Sequence, residues 1–215
     1  TLAYAMSDNP LGPYEFKGVF MEESPVGCWT NHHSFVEFKG EWYLFYHHND
    51  FSPTFDKNRS VRVDKVYFRE DGTIIPVVPT WRGVGYFKST DELNIDRYSE
   101  CVGAKIDYLD EYNYFAGWKV RFTQPYDRVR FNEVDFGTKA PSKIVLRAKG
   151  KGASLRVSVG NLGKSIILPA CDDWTVLEIP TTMKVTGMQD ITVELIDGTY
   201  HSVDSDALSF EIAAK

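Results

Sequence analysis

The 215-residue sequence is short of the features that mark several large protein classes. It has no apolar run of about 18 residues, so nothing in it reads as a membrane span. It has no long stretch of 3.6-residue periodicity, so a helical bundle or coiled coil is not expected. Cysteine is scarce and odd in number: Cys28, Cys101 and Cys171 lie far apart, without C-x-x-C spacing. Neither a zinc ribbon nor a disulfide framework follows from that; one bridge, or three free thiols, is compatible with it. Basic residues do not dominate either, with 24 Lys and Arg against 30 Asp and Glu and a formal net charge of −6. The charges are dispersed, with no run of five of one sign. A nucleic-acid partner, which needs concentrated Lys and Arg, is therefore not expected. The chain starts at Thr1 with neither Met nor signal peptide, which reads as a segment processed or cut from something longer.

What is abundant is aromatic side chain: 12 Tyr, 14 Phe and 5 Trp, within a 43% hydrophobic composition. Apolar and polar residues alternate over four to eight positions between Gly, Asp, Asn and Pro, which reads as an all-β protein. Leu2–Met6 and Glu15–Met21 are short strands around the turn cluster Ser7–Pro13. Ser34–Phe38 and Trp42–His47 form a hairpin turned at Lys39-Gly40. Ser60–Phe68 and Thr73–Val78 form another, turned at Asp71-Gly72. The alternation breaks over Val78–Gly85, which places a domain boundary there and gives a first domain at 1–82 and a second at 86–215. Eight short strands at about ten-residue spacing follow: Trp118–Phe122, Asp127–Asn132, Ser142–Lys149, Ala153–Val159, Ser165–Pro169, Thr175–Pro180, Asp190–Ile196 and Ala207–Ile212. Such spacing suggests a β-sandwich.

The chemistry-bearing stretch is Asn31-His32-His33-Ser34 with the hairpin that ends at His47-His48. Four of the five histidines stand at the two ends of one hairpin. Side chains alternate along a strand, so His32 and His33 point opposite ways. Either can face a ligand cavity or simply hydrogen-bond a loop; His47 and His48 read as supporting or surface residues. Zinc needs three or four convergent ligands, and no H-E-x-x-H or similar spacing supplies them.

Three pieces of the first domain, in order, resemble family 43 glycoside hydrolases, five-bladed β-propellers that act on xylan and arabinan. They are Tyr4-Ala5-Met6-Ser7-Asp8-Asn9-Pro10-Leu11-Gly12-Pro13-Tyr14, the segment Asn31–His47, and Arg59–Phe68 with Glu70–Ile74. The resemblance covers about residues 2–80 and implies the last blade of the propeller. In that family an Asp base, a Glu acid and a pKa-tuning Asp come from the first three blades, with an inverting pair about 6.5–9.5 Å apart. Asp8, Glu37 and Glu41 do not fit those roles, so no catalytic carboxylate is assigned in this chain. The resemblance implies that His33, or else His32, is the family's active-site histidine. Arg59 is then either a contact to the sugar or an ordinary ion pair between blades.

The second domain resembles a family 6 carbohydrate-binding module, a jelly-roll sandwich. The resemblance is carried by Leu93–Glu100, Asp127–Gly137, Asp173-Trp174 and Asp206–Phe210. It implies a structural calcium held by Asn94, Asp96 and Asp206, where Asn94 and Asp96 replace the usual Glu residues. It also implies sugar stacking; Arg128 stands where one stacking aromatic is usual, which leaves Tyr126 and Trp174. Trp174 reads equally as core packing at a strand start. Together the resemblances imply the C-terminal part of a secreted or periplasmic hemicellulose-degrading enzyme, inactive by itself. It would hydrolyse α-L-arabinofuranosyl or β-xylosyl linkages with inversion. Its partners would be arabinoxylan, xylan or arabinan, and the upstream propeller segment. The alternatives are a non-catalytic carbohydrate-binding protein, or a structural adaptor that recognises protein.

Overall fold

The computed structural model describes residues 1–23, 31–49, 57, 59–80, 82–197 and 203–212. The chain is all-β, with no helix among the described residues, and divides into two units, Thr1–Val84 and Gly85–Lys215.

In the first unit, β1 (Leu2–Met6) pairs antiparallel with β2 (Glu15–Met21) across a turn closed by Asn9 and Ser7. A three-stranded antiparallel sheet follows, built from β3 (His33–Phe38), β4 (Glu41–His48) and β5 (Ser60–Val66). Lys39 and Gly40 both have positive φ (54° and 79°). That is the two-residue turn whose twist matches the strands it joins. The core joins Phe20 and Met21 to Leu44, Tyr46, Val66, Ile74 and Val77, with Leu2, Tyr4 and Phe35 packed against it. On the opposite face of the sheet Val36, Phe38, Phe45 and Val61 are exposed.

One expected strand does not form. Instead of a Thr73–Val78 strand there is a single bridge, Phe68 to Ile74. Pro76 and Pro79 have no N–H to give a ladder. The Asp71 carboxylate also takes the Thr73 amide (2.9 Å) and hydroxyl (2.6 Å), which holds the segment as a turn.

The second unit contains β6 (Phe87–Lys88), β7 (Leu93–Asn94), β8 (Glu100–Val102), β9 (Lys105–Tyr108), β10 (Trp118–Phe122), β11 (Arg128–Asp135), β12 (Lys143–Val159), β13 (Leu162–Pro180), β14 (Met188–Asp197) and β15 (Val203–Glu211). Four expected strands are in fact two. Ser142–Lys149 and Ala153–Val159 are one 17-residue strand, and Ser165–Pro169 and Thr175–Pro180 one 19-residue strand. Glycine bends this ladder without ending it: the register slips between Ala148 and Gly150, and pairing resumes at once. The Gly160-Asn161 turn joins the two, with Gly160 at φ 53°.

The first half of β12 pairs β15, which carries β10, β9 and β7. Its second half pairs β14, which carries β11, β8 and β6. These are the two layers. Alternate residues of β12 (Ile144, Leu146, Ala148, then Leu155, Val157, Val159) are wholly buried, as are Ile191, Val193, Leu195, Phe122 and Phe131. Phe136 meets Phe210 edge-on at 4.9 Å.

Between β10 and β11 the chain turns around Asp127, which is buried and accepts from Thr123 N (2.6 Å), Thr123 Oγ1 (3.1 Å) and Gln124 N (3.0 Å). Gly103, at φ +75°, leaves room for that carboxylate; a Cβ there would collide with Asp127 Oδ1. Gly103→Ala is therefore expected to destabilise the chain by about 1–3 kcal/mol, measured by denaturant unfolding.

Candidate functional site

The β3–β4 hairpin separates the two leading histidines. His33 lies opposite Tyr46 and packs edge-on to Phe20 (5.2 Å) and Phe35 (5.5 Å). Burial, and the neighbouring His32, hold its imidazole below the ordinary histidine pKa. That favours the neutral imidazole, in which one ring nitrogen donates and the other accepts. His32 stands apart, 5.5 Å ring to ring from His47, whose Nδ1 lies 3.3 Å from the His32 backbone N–H. Burial first, then the Arg59 charge, depresses His47 as well. Arg59 itself is exposed. The structure thus gathers His32, His47 and Arg59, and sets His33 apart. His47 Nε2 and Asn31 Oδ1 are buried atoms with no hydrogen-bond partner among the described residues.

On the His33 side of the sheet is a polar network that sequence reasoning missed. Asp64 Oδ2 accepts from the Tyr46 hydroxyl (2.7 Å) and the Thr80 amide (3.1 Å), and Asp64 Oδ1 from the Thr80 hydroxyl. Arg62 reaches His48 Nδ1 at 3.0 Å. Asp64, Tyr46, Arg62 and His48 are buried and Thr80 is half-buried. Burial pushes the Asp64 carboxyl up, against the hydrogen bonds from Thr80 and Tyr46; burial, with Asp64 beside it, pushes the Tyr46 hydroxyl well up. The available signal was Arg62 and Asp64 at alternate positions, on the face of β5 that carries Val66.

In the second unit β7 pairs with β15, setting Asn94 opposite Ala207, and Ile95 N donates to Asp206 O at 2.9 Å. Asp96 and Asp206 are buried close together. Burial raises both carboxyls, and the Asp96 and Glu92 charges raise Asp206 further. Asp206 Oδ2 is held by Arg147 at 2.6 Å, while its Oδ1 is buried without a partner. Asp96 makes a long contact, 3.6 Å, to Arg97. An orphaned carboxylate oxygen beside a second buried carboxylate suits a hard cation. The acidic donors number two, however: no group of three His, Cys, Asp or Glu is placed for a metal among the described residues. Asn94 is exposed.

The two aromatic candidates differ. Tyr126 is 68% exposed on the Asp127 turn, at φ +75°, with its amide bonded to Leu195 O at 2.7 Å. A tyrosine in the left-handed region is strained. Trp174 is half-buried on β13, with Arg147 Cζ 5.1 Å and Lys149 Nζ 5.0 Å from its ring centroid. Its indole is thus already engaged by two cations. Arg128 opens β11, opposite Glu194.

One unit carrying a His-rich antiparallel sheet and another built as a two-layered sandwich make this an all-β protein. Similarity to known proteins agrees. A "Xylosidase/arabinosidase" of Bacteroides ovatus is 46% identical over 78 residues, which are 35% of this chain and 23% of that protein. The chain thus spans under a quarter of that relative's length. The solved family 43 arabinoxylan arabinofuranohydrolase of Bacillus subtilis, in complex with cellotetraose, shares its fold with 98% of this chain. The TM-score is 0.61 at 20% identity, and 47% of that protein is covered. A family 6 carbohydrate-binding module matches 60% of the chain, and 98% of its own length, with a TM-score of 0.51 at 12% identity. The last two likenesses are of fold. No protein-family model matches the chain. The resemblances read from its residues are thus found again in a curated relative and in solved structures.

Tyr126→Gly is expected to raise stability by about 1 kcal/mol in denaturant unfolding by relieving the positive φ, whereas Tyr126→Ala, which keeps a Cβ, does not.

Proposed function

We propose that the chain is the C-terminal part of a hemicellulose-degrading glycoside hydrolase. The observation that carries this is the 46% identity to a xylosidase/arabinosidase over 78 residues. The reaction would be inverting hydrolysis of an α-L-arabinofuranosyl or β-xylosyl linkage, with base and acid supplied by an upstream segment. The first unit supports the need for that segment: its sheet exposes Val36, Phe38, Phe45 and Val61 on one face, a surface suited to burial against another β layer. Asp64, the carboxylate nearest in kind to a catalytic acid, is tied to Tyr46 and Thr80 and serves to hold the sheet. His33, favoured as the neutral imidazole and at the margin of the core, is the side chain offered to the sugar. The second unit would hold the enzyme on arabinoxylan, xylan or arabinan. Polymers of that kind are met outside the cytoplasm, which supports a secreted or periplasmic location.

The test is the complete protein on arabinoxylan and on nitrophenyl arabinofuranoside and xyloside. Release of arabinose or xylose is expected; release of neither overturns the enzyme reading and leaves a non-catalytic carbohydrate-binding protein. In that protein His33→Ala is expected to lower turnover about tenfold or more with an unchanged melting temperature. Unchanged kinetics would leave His33 a packing role.

A structural calcium at Asp96 and Asp206 belongs to the same proposal, supported by the orphaned Asp206 Oδ1. Asn94, water and main-chain oxygens would complete its shell. Both carboxyls are raised in the fold. The metal-free fold therefore binds protons more tightly than the unfolded chain, and its stability falls as pH rises from the unfolded carboxylate pKa, about 4, through the folded values. Calcium needs the ionised pair, so its stabilising effect is expected to appear at pH 7 and vanish near pH 4 in thermal melts. Melting at pH 7 that is indifferent to calcium and chelator would remove the site.

A further inference from the structure

The hairpin between β9 and β10 carries Tyr108, Tyr112, Tyr114, Phe115 and Trp118 within eleven residues. Three of these rings form one stack. Tyr108 stacks with both Tyr114 (centroids 4.4 Å apart, planes at 30°) and Trp118 (4.8 Å, 26°). Tyr108 is thus stacked against two aromatic neighbours. The stack ends in Tyr114, which is 62% exposed, and beside it in sequence Tyr112 and Phe115 are 92% and 100% exposed. No core packing accounts for these three rings.

The loop that displays them is tied down. Asp110 Oδ1 accepts Tyr112 N (2.8 Å) and Asn113 Oδ1 accepts Phe115 N (3.2 Å). Main-chain bonds join Asn113 N to Asp110 O, Ala116 N to Asn113 O, and Leu109 N to Gly117 O, at 2.9–3.2 Å. Rings held this way lose little freedom when a ligand arrives. The hairpin also stands at the opposite end of β10 from the Tyr126 turn, about 13 Å away along the strand.

We infer that this hairpin is a separate saccharide-binding platform of the second unit: a neutral pyranose ring continues the stack on the outer face of Tyr114, with Tyr108 and Trp118 bracing it from behind. The inference rests on the reading of this unit as a carbohydrate-binding module. A flat aromatic face matches the C–H face of a pyranose, and the Tyr112 and Tyr114 hydroxyls match its rim. Asp107, Asp110 and Glu111 border the rings. They accept hydrogen bonds from sugar hydroxyls and repel both acidic polymers and an anionic membrane surface.

The whole chain is tested by affinity electrophoresis in soluble xylan and in hydroxyethylcellulose, beside thermal melts. Wild type is expected to be retarded, and Tyr114→Ala to weaken that retardation about tenfold at an unchanged melting temperature. Tyr114→Phe, which keeps the stack, is expected to bind nearly as wild type. Should Tyr114→Ala misfold, the exposed pair Tyr112→Ala and Phe115→Ala takes its place, with loss of retardation again expected. If Tyr114→Ala, or that pair, binds as wild type while Trp174→Ala or Tyr126→Ala abolishes binding, the platform is refuted and the carbohydrate reading stands. If wild type binds neither polymer, both fall. Retention on zwitterionic lipid vesicles in place of the polymers also refutes the platform.

Discussion

The second unit depends on one continuous backbone ladder. β12 and β13 pair from Lys143–Pro180 to Val159–Leu162, while the other edge of β12 serves β15 along one half and β14 along the other. A single strand therefore fixes the registers of both layers. Its buried residues are the even-numbered ones up to Ala148 and the odd-numbered ones from Leu155, so the alternation shifts by one residue across the glycine-containing stretch between them. The layers are thus pinned to each other by main-chain hydrogen bonds as well as by side chains.

In the first unit the constraint is the two-faced sheet. One face buries Leu44, Tyr46 and Val66 together with Arg62 and Asp64. Buried charges are tolerated only when hydrogen-bonded, and here Tyr46, Thr80 and His48 supply the partners. The network fixes the strand that carries His47 and His48, and so the opposing end of β3 that carries His33. The histidines are positioned by polar groups beneath the sheet.

Much of this was legible in the chain. Period-two alternation revealed the strands of the large hairpin, and Lys39-Gly40 its small counterpart. Continuity was not legible: Gly150 and Gly152 read as breaks, because sequence alone cannot distinguish a glycine that bends a paired strand from one that ends it. Strands β6 to β9 have two to four residues, too few for any period to show. Most instructive is β5. Val61, Arg62, Val63, Asp64 alternate as a half-buried strand should, yet the charged pair lies inside and Val61 outside. The pattern supplied the period; only the partners of Asp64 supply the direction. Tyr126 and Trp174 were visible as aromatics, but the strain at one and the two cations around the other arise from neighbours distant in sequence.

Among the described residues β13 pairs only β12, so its nineteen residues form an open edge there, with Ile167 and Val176 exposed. Pro169 interrupts it near the middle. A proline offers no N–H, so a foreign strand zipping along this edge would lose its ladder there. Lys164, Asp172, Asp173 and Glu178 charge the remainder. Copies of the chain brought close together would meet along this edge first, since open strands readily template one another. The proline and the charges keep such encounters from running on into a shared sheet.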